Sequence, residues 1–325
     1  DFSNSAFCNY SGAEGPCSGA STVYYDGVTY NTVQIGQQCW IKENLRTTHY
    51  ADGTSIPSGG SNTSETTGYY YDYSSSGIPL AQRGYLYNWP AVMHGAASSS
   101  ANPSGVQGIC PDGWHVPSDA EWTQLEDCVS NQSQYCGIDN INNIAKALAS
   151  TSGWSISSNT CAVGNQQTSN NATDFSAVPT GSYNGSSFSG AGDYAGFWSS
   201  TQYSSNIYLR YLYYNYAHLT RFNIGKNYGR SVRCLRDEGY NVSLDAPTGV
   251  DAAILGSQIH VTWNPVSNAT SYKVYRSSSS SGNYILMCLS TTNGYWNDSS
   301  PLTGYNYYKV TAVNNIGERD FSNSA

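Results

Sequence analysis

Apolar and polar residues alternate with a period of two in three stretches near the C-terminal end of the chain. The stretches are residues 258–263, 271–276 and 307–314. Because successive side chains of a strand point to opposite faces, this alternation predicts half-buried β-strands. Turn-forming residues separate the stretches at intervals typical of a sandwich. We therefore predict an all-β sandwich over residues 247–325, with Trp263 in its core.

A helical period is clearest just after residue 117. Trp122, Leu125 and Val129 share one face of a helix, and Ser118 and Glu121 have the spacing of a capping box. A capping box satisfies two backbone N–H groups that a helix start otherwise leaves without partners. The pattern therefore predicts a helix that begins at residue 118.

The remainder of the chain before residue 239 has short apolar runs and long loops rich in Gly, Ser and Asn. Residues 55–68 and 96–105 are examples of such loops. We predict one further short helix at residues 143–148. Together these patterns predict an α+β domain with much irregular structure. The predicted segments are residues 7–22 as a cysteine-bracketed junction, 23–238 as the first domain, 239–246 as a polar linker and 247–325 as the sandwich.

The first six residues, Asp-Phe-Ser-Asn-Ser-Ala, occur again at residues 320–325. Self-similarity at a fixed period is typical of repeat arrays. The second copy follows the last predicted strand, so we interpret it as the tail of that sandwich and residues 1–6 as the tail of a preceding one. The alternative is that neighbouring sandwiches have stereotyped tails. On the repeat interpretation, the junction residues of an extended filament are Asp1, Phe2, Asp320 and Phe321.

Charged residues make up only 11% of the chain, and the formal net charge is −8. We expect no nucleic-acid partner, because the sequence has no basic patch that could neutralise phosphates. We expect no membrane span either, because no apolar run is long enough to cross a bilayer. The 29 tyrosines, together with abundant Ser, Asn and Gly, suit an exposed β-rich surface.

Nine cysteines in such a chain indicate an oxidising compartment, and hence an extracellular location. Metal-type Cys-x-x-Cys pairs are absent from the sequence, so we expect neither a zinc ribbon nor any other cofactor. The odd count leaves one thiol that is either free or paired outside the unit, and Cys288 lies in an apolar run typical of a buried small hydrophobic residue. Two predicted disulfides bracket short loops, namely Cys8–Cys17 and Cys128–Cys136.

Six segments, in order along the first domain, resemble the Fibrobacter succinogenes major paralogous domain. They are DGVTYNTVQIG (26–36), CWIKENL (39–45), GYLYNW (84–89), CPDGWHVP (110–117), GFWSST (196–201) and SVRCLRD (231–237). That family occurs on surface and secreted proteins of Bacteroidetes-like bacteria, and its motif order is similar to the C-type-lectin-like fold of formylglycine-generating enzymes. The sandwich resembles a fibronectin type III module, which usually acts as a spacer or adhesive unit.

The resemblance implies two helices beside a small sheet, with irregular loops that carry the binding surface. A domain with so much loop needs disulfides, and a bond between Cys110 and Cys234 would tie its middle to its closing strand. Cys39–Cys161 is the remaining long-range pair that we predict. The aromatic residues expected in the core, rather than around a ligand, are Trp40, Trp89, Trp114, Trp122, Phe197 and Trp198.

A tyrosine-rich stretch before the closing strand is the main candidate site, because lectin-like folds expose this region as a binding face. Tyrosines supply large contact area at low entropy cost, which suits a surface that contacts sugar or protein. The alternative is a tyrosine-rich strand that packs against a neighbouring domain or subunit. The candidate contact residues are Tyr203, Tyr208, Tyr211, Tyr213, Tyr214, Tyr216 and His218.

Catalytic chemistry is not expected. His115 and Glu121 could act as acid and base, but a capping role for Glu121 and a structural role for His115 explain them better. The reactive cysteine pair of the formylglycine-generating enzymes is absent from the late motif, where Cys234 stands alone. The triplet at 296–298 imitates the calcium-and-sugar motif of true lectins, but it lies in the sandwich, where such a turn is ordinary.

Asparagine-x-Ser/Thr triplets, which could accept glycans, are frequent, although a chain rich in Asn and Ser produces many by chance. They begin at Asn9, Asn62, Asn131, Asn171, Asn184, Asn241, Asn268 and Asn297. The function predicted from all of these patterns is a structural, adhesive subunit or tandem repeat of a bacterial extracellular filament that assembles end to end with itself. The alternative is a surface adhesin that binds glycan or protein through the tyrosine-rich stretch.

Overall fold

The computed structural model describes residues 15–17, 20–130, 143–237, 245–266, 269, 271–314, 317–318 and 321–323. The chain divides into two compact units, Asp1–Tyr240 and Asn241–Ala325. Strands hold far more residues than helices do, so the protein is mainly β.

The described part of the first unit contains twelve strands, four α-helices and two short 3₁₀ helices. The strands are β1 Thr22–Tyr25, β2 Val28–Ile35, β3 Gln38–Ile41, β4 Tyr70–Tyr71, β5 Leu86–Tyr87, β6 Trp114–His115, β7 Ser182–Tyr183, β8 Phe188–Ser189, β9 Tyr194–Tyr203, β10 Asn206–Tyr213, β11 Thr220–Ile224 and β12 Leu235–Arg236. The α-helices are α1 Leu80–Arg83, α2 Trp89–Met93, α3 Asp119–Ser130 and α4 Ala145–Leu148. The 3₁₀ helices are Ser74–Ser76 and Gln167–Ser169.

Two antiparallel sheets form the frame of the first unit. One has five strands in the order β1-β2-β3-β12-β6, and the other has three in the order β11-β10-β9. The closing strand β12 pairs with β3 through Leu235 and Trp40, and with β6 through Leu235 and His115. The end, the start and the middle of the unit therefore meet in one sheet. The remaining described strands of this unit form two two-stranded sheets, β4-β5 and β7-β8.

Helix α3 begins at the predicted capping box. The backbone N–H of Glu121 donates to Ser118 Oγ at 3.2 Å, and the backbone N–H of Ser118 donates to Glu121 Oε2 at 2.8 Å. The apolar face predicted from the sequence is fully buried at Trp122, Leu125 and Val129. The expected helix is thus confirmed, and its start is held by reciprocal side-chain hydrogen bonds.

The six aromatic residues expected in the core are all buried. Trp89, Trp114 and Trp198 belong to a first core cluster, and Trp40, Trp122 and Phe197 belong to a second. The rings of Trp40 and Trp122 lie 4.7 Å apart, in the range of favourable aromatic pairs. The indole N–H of Trp198 donates to the carbonyl of Tyr87 at 2.7 Å, so the ring is buried without leaving its polar atom unpaired.

Disulfides confirm one long-range expectation and correct two others. Cys110 is bonded to Cys234, as expected, but Cys17 is bonded to Cys39. The predicted pairs Cys8–Cys17 and Cys39–Cys161 are therefore wrong. The meander β1-β2-β3 brings the segment before β1 beside β3, which places the Cα atoms of Cys17 and Cys39 5.0 Å apart.

Two further cysteines of the first unit, Cys128 and Cys161, are also disulfide-bonded. The predicted pair Cys128–Cys136 includes Cys136, which lies outside the described residues, as does Cys8. Within the described part of the chain, Cys288 is the one free cysteine, and it is half-buried.

The described part of the second unit contains seven strands in a sandwich, consistent with a fibronectin type III-like fold. The strands are β13 Asp251–Leu255, β14 Gln258–Thr262, β15 Ser271–Ser277, β16 Ile285–Thr291, β17 Tyr295–Asp298, β18 Tyr307–Asn314 and β19 Gly317–Glu318. One sheet has the order β13-β14-β17, and the other has the order β16-β15-β18-β19.

The sandwich core lies between the two sheets. Val261 and Trp263 from one sheet pack with Val274 and Val310 from the other, and Trp263 is only 5% exposed. All three strands predicted from alternation are present, at nearly the predicted bounds. The period of two is a reliable indicator here because each sheet buries one face and leaves the other wet.

Candidate functional site

The tyrosine-rich stretch lies mainly on β10 and on the turn that follows it. Strand β10 is the central strand of its sheet, with β9 on one side and β11 on the other. Ile207 and Leu209 belong to the first core cluster, whereas Leu212 belongs to the second. Both faces of the strand therefore meet core, and its tyrosines fall into separate groups rather than on one continuous exposed face.

The first group combines two tyrosines with an arginine. The guanidinium carbon of Arg221 lies 3.6 Å from the centre of the Tyr208 ring, a close cation–π contact. The ring of Tyr203 lies 5.1 Å from that of Tyr208, and Tyr203 is 55% exposed. This group presents one exposed ring that is backed by a half-buried ring and a cation.

Arg221 also takes part in an ion network that joins the sheet to helix α3. It donates to both carboxylate oxygens of Asp119, at 2.7 to 3.1 Å. The fully buried Arg210 donates to the same carboxylate at 2.6 Å and to Glu126. Burial alone would raise the pKa of Asp119, but the bonds from the two arginines lower it below its usual range. The carboxylate therefore stays charged at the helix start, where the helix dipole favours it.

The second group is the aromatic shelf, formed by Tyr213, Tyr216 and His218. The rings of Tyr213 and Tyr216 lie 5.2 Å apart, and those of Tyr216 and His218 lie 5.0 Å apart and nearly parallel. Tyr216 and His218 are exposed. Tyr194 on β9 supports the shelf from below at 6.3 Å from Tyr213, whereas Tyr214 packs against the second core cluster.

Tyr211 stands apart from both groups. It packs against the first core cluster and makes an edge-on contact with Phe222 at 6.2 Å. Phe222 is 52% exposed and pairs with Leu209 across the β10-β11 ladder. The seven predicted contact residues therefore divide into two groups and two separate tyrosines, Tyr211 and Tyr214, and the aromatic shelf holds the most of them.

The sequence reasoning missed three residues that complete these groups, namely Arg221, Phe222 and Tyr194. Arg221 faces Arg210 in the β10-β11 pairing. Tyr208 faces Asn223, so Arg221 is its diagonal neighbour across the hairpin, and diagonal neighbours are within reach of long side chains. Without a predicted register for β11, the cation above Tyr208 could not be found.

His115 lies buried between two carboxylates. Its Nε2 is 2.8 Å from Glu121 Oε1, and its Nδ1 is 2.5 Å from Asp237 Oδ1. Burial of the imidazole disfavours its charged form, but the hydrogen bonds to Asp237 and Glu121 outweigh that effect and raise the pKa of His115 to about 9. At neutral pH both ring nitrogens therefore carry protons and donate.

This arrangement is a clamp rather than an acid–base pair. A general base needs a pKa near the working pH and a nitrogen within reach of substrate. Here both nitrogens are occupied, and the side chain of His115 is only 3% exposed. The clamp links β6 and the start of α3 to Asp237, which follows the closing strand β12.

The carboxylate of the triplet at 296–298 is also hydrogen-bonded within the fold. Asp298 is buried and accepts hydrogen bonds from Tyr308 Oη at 2.7 Å and from Arg276 Nη1 at 2.7 Å. Its carboxylate therefore has a structural role within the sandwich. Across the described ranges, no group of three or more His, Cys, Asp or Glu side chains could hold a metal ion. None of the described helices has the length and apolarity needed to cross a bilayer.

Residues 321–323, the described part of the second copy of the hexapeptide, lie against strand β18. The backbone N–H of Ser322 donates to the carbonyl of Val310 at 2.9 Å, and Ser322 Oγ accepts from the N–H of Val310 at 3.0 Å. The ring of Phe321 lies edge-on to Tyr275 at 4.9 Å. Residues 321–323 therefore extend the sheet edge that β19 begins. The other predicted junction residues, Asp1, Phe2 and Asp320, lie outside the described residues.

These features define a mainly β protein in which a disulfide-bonded, loop-rich domain precedes a sandwich. The family model described as the Fibrobacter succinogenes major domain matches residues 33–236, and the chain belongs to that family. That match covers the three-stranded sheet, strands β3, β6 and β12 of the five-stranded sheet, the aromatic shelf, and His115 with Glu121. No protein with a curated description matches the chain.

Two solved structures are similar to parts of the chain. One is an Fn3-like protein from Clostridium thermocellum, 35% identical over 26% of this chain and 88% of that chain, with a TM-score of 0.24. The other is a β-1,2-glucanase from Parabacteroides distasonis, 22% identical over 36% of this chain and 17% of that chain, with a TM-score of 0.23.

Proposed function

We propose that this chain is a structural, adhesive repeat of an extracellular bacterial filament. In this proposal the first unit is a C-type-lectin-like domain, the second is a fibronectin type III spacer, and repeats join end to end. The observation that carries the proposal is the position of the repeated hexapeptide. In its second copy, Phe321 lies edge-on to Tyr275 and Ser322 is hydrogen-bonded to Val310 of strand β18.

An identical hexapeptide carries identical side chains, so residues 1–6 have the chemistry to fill the same place on an identical sandwich. In a covalent tandem repeat, residues 1–6 are the last strand of the preceding repeat. In a strand-exchanged filament, they complete the sandwich of a neighbouring chain by β-strand addition. The covalent arrangement is the simpler one, because residues 321–323 already lie beside β18 of their own chain.

An extracellular location is part of the proposal. The chain holds disulfides between Cys17 and Cys39 and between Cys110 and Cys234, and such bonds persist in oxidising compartments. The few charged residues and the many tyrosines suit a surface that meets other surfaces rather than a soluble metabolite. No catalytic role is included in the proposal.

The mass of the native material tests how the repeats join. Filaments are sheared from producing cells, dissolved in denaturant with reductant and separated by size. A covalent repeat gives a chain many times the 35.1 kDa of this sequence, whereas strand exchange gives a single species near 35.1 kDa. Native particles that are isolated, monodisperse monomers would contradict both arrangements.

A truncation tests the two arrangements on the isolated chain. Without residues 320–325 the sandwich lacks its last segment, and residues 1–6 of another molecule could take its place. Strand exchange predicts that this truncated chain forms head-to-tail oligomers and that an added Phe2→Ala substitution prevents them. A covalent repeat predicts a destabilised chain that forms no head-to-tail oligomers with either sequence. Sedimentation velocity distinguishes the two results.

The second candidate function is a surface adhesin that binds glycan or protein through the aromatic shelf. The supporting observation is that Tyr216 and His218 are stacked and exposed. Stacked rings of this kind offer a flat apolar surface with polar edges. Tyr211 and Tyr214 are poor targets for a test, because both pack against core clusters.

Glycan-array binding tests the adhesin function. The Tyr216→Ala/His218→Ala variant should lose binding, whereas the Tyr203→Ala variant, which removes an exposed ring from another group, should retain it. Absence of binding by the unmodified chain to every glycan and to host surface proteins would reject this function.

A further inference from the structure

Strand β16 presents an exposed apolar edge. It lies at the end of its sheet and, within the described part of the chain, pairs only with β15. Ile285 is 69% exposed, Leu289 is 70% exposed and Leu286 is 41% exposed. A sheet edge of this kind offers unpaired backbone N–H and C=O groups together with an apolar surface, which makes it a template for another strand.

The usual protection of an edge strand is absent from the sequence here. Residues 277–297 contain no charged side chain and no proline. Charged residues, especially lysine, and prolines are the common means by which natural proteins keep edges from pairing. A charged partner segment would find no opposite charge on this edge, so the matching partner is itself apolar and uncharged. A second copy of β16 meets that requirement.

The strand is also suited to pairing about a two-fold axis. Its seven residues run from Ile285 to Thr291, and Cys288 is the central one. In an antiparallel pair of identical strands, Ile285 of one copy faces Thr291 of the other, Met287 faces Leu289, and Cys288 faces itself. Such a contact is isologous and closes on two copies. Apolar side chains lie opposite one another at its centre, where Met287 faces Leu289, the outer apolar residues face Ser290 and Thr291, and no like-charge pair arises.

Two register shifts in the β15-β16 ladder limit the extent of this contact. They lie on either side of the pair formed by Val274 and Cys288. Irregularities of this kind increase the local twist of a strand and prevent long, flat pairing. The expected contact is therefore short and centred on Cys288, and it leads to a dimer rather than to a continuous sheet.

We propose that the β16 edge is a self-pairing surface through which two copies of the chain associate side by side, with the strands antiparallel and Cys288 at the centre. No covalent bond is part of this contact. The contact is lateral, so it is separate from the end-to-end joining proposed above and does not depend on it. In a filament it would link two neighbouring strands of repeats.

Sedimentation equilibrium on the full 325-residue chain tests the pairing. The unmodified chain should form dimers, and the Ile285→Lys/Leu289→Lys variant should dissociate at least about a hundredfold more readily, because the introduced like charges then lie at diagonal positions on one face of the contact and repel. The matched control is Ile254→Lys/Leu255→Lys, which adds the same charge to another exposed strand, β13. The control should dimerise as the unmodified chain does.

A monomeric unmodified chain at the highest soluble concentration would overturn the proposal, and so would equal dissociation of both lysine variants. Hydrogen exchange locates the contact without any substitution. At concentrations above the dissociation midpoint, amide exchange should slow in residues 285–291 relative to dilute samples, while exchange in β13 stays unchanged. Slowing confined to other parts of the chain would place the contact elsewhere and reject the pairing. Truncation of residues 320–325 should leave this dimer intact, which separates it from end-to-end assembly.

Discussion

The two units of the chain hold themselves together by different means. The first has short strands and long loops, and it relies on disulfides and on ion networks around Arg210 and His115. The second consists, in its described residues, mainly of longer and more regular strands around a small core, and its described cysteine, Cys288, is free. A sheet satisfies its own backbone groups, whereas loops need side chains to do so. The irregular unit therefore depends on particular residues, and the sandwich depends on its strand ladders.

The units also differ in where they place apolar side chains. Most of the large hydrophobic residues that are strongly exposed in the described part of the chain lie in the sandwich. They are Ile254, Leu255, Ile285, Leu286, Leu289, Tyr295, Leu302, Tyr305 and Phe321. The first unit buries nearly all of its tryptophans instead. This difference fits a division of roles in which the sandwich makes contacts with other copies.

Loss of the long-range disulfide should have the largest effect. The Cys110→Ala/Cys234→Ala variant should destabilise the first unit by about 5 kcal/mol, because the bond closes a loop with a sequence separation of 124. The Cys17→Ala/Cys39→Ala variant, with a separation of 22, should cost about 3 kcal/mol. Calorimetry that resolves the two units should show an unchanged sandwich transition. Equal destabilisation of both units would contradict the inference that only the first unit depends on these disulfides.

Removal of the buried arginine should come next. Arg210→Met leaves Asp119 and Glu126 without their buried partner, which should destabilise the first unit by about 3 to 5 kcal/mol in denaturant unfolding. Arg221→Met is the control, because Arg221 bonds to the same Asp119 carboxylate but is 47% exposed. It should cost no more than about 1 kcal/mol. Similar losses from both substitutions would show that burial does not set the strength of the network.

Alkaline pH should weaken the first unit selectively. The pKa of His115 is raised from about 6.5 in the unfolded chain to about 9 in the fold, so its contribution of about 3 kcal/mol is fully present below pH 6.5. That contribution is lost as the pH rises through about 9. A stability profile by denaturant unfolding should show this loss in the unmodified chain and not in the His115→Gln variant.

The sandwich should respond at the opposite end of the pH range. Burial alone would raise the pKa of Asp298. The hydrogen bonds that its carboxylate accepts lower the pKa, and the bond from Tyr308 has the largest effect among them. Its contribution is therefore present above the unfolded pKa of about 3.9 and is lost as the pH falls below that value. A sandwich that instead weakened between pH 6.5 and 9 would contradict this assignment.

The smallest effect concerns the hexapeptide. Ser322→Ala removes the acceptor for the buried N–H of Val310 and should destabilise the sandwich by about 1 to 2 kcal/mol. Asn323→Ala changes an exposed neighbouring side chain and should have almost no effect. Thermal unfolding measures both. An unaltered sandwich in the Ser322→Ala variant would show that the segment does not complete the sheet.

The sequence predicted those elements in which local pattern and burial agree. Helix α3 followed from a capping box and three apolar residues on one face, and strands β14, β15 and β18 followed from alternation. The short helices α1 and α2 were missed, because four or five residues do not show a helical period. The Cys17–Cys39 bond was missed because nearness along the chain is a poor guide to nearness in a sheet.

For the candidate site, the sequence determined which residue types are present and that tyrosines are concentrated before the closing strand. The pairing of β10 with β9 and β11 decided which tyrosines are exposed, which meet a cation and which support the core. Residue type and local period are properties of neighbours along the chain, so a sequence carries them directly. Strand register and packing bring together residues far apart along the chain, so only the tertiary structure determines the aromatic shelf, the His115 clamp and the exposed edge of β16.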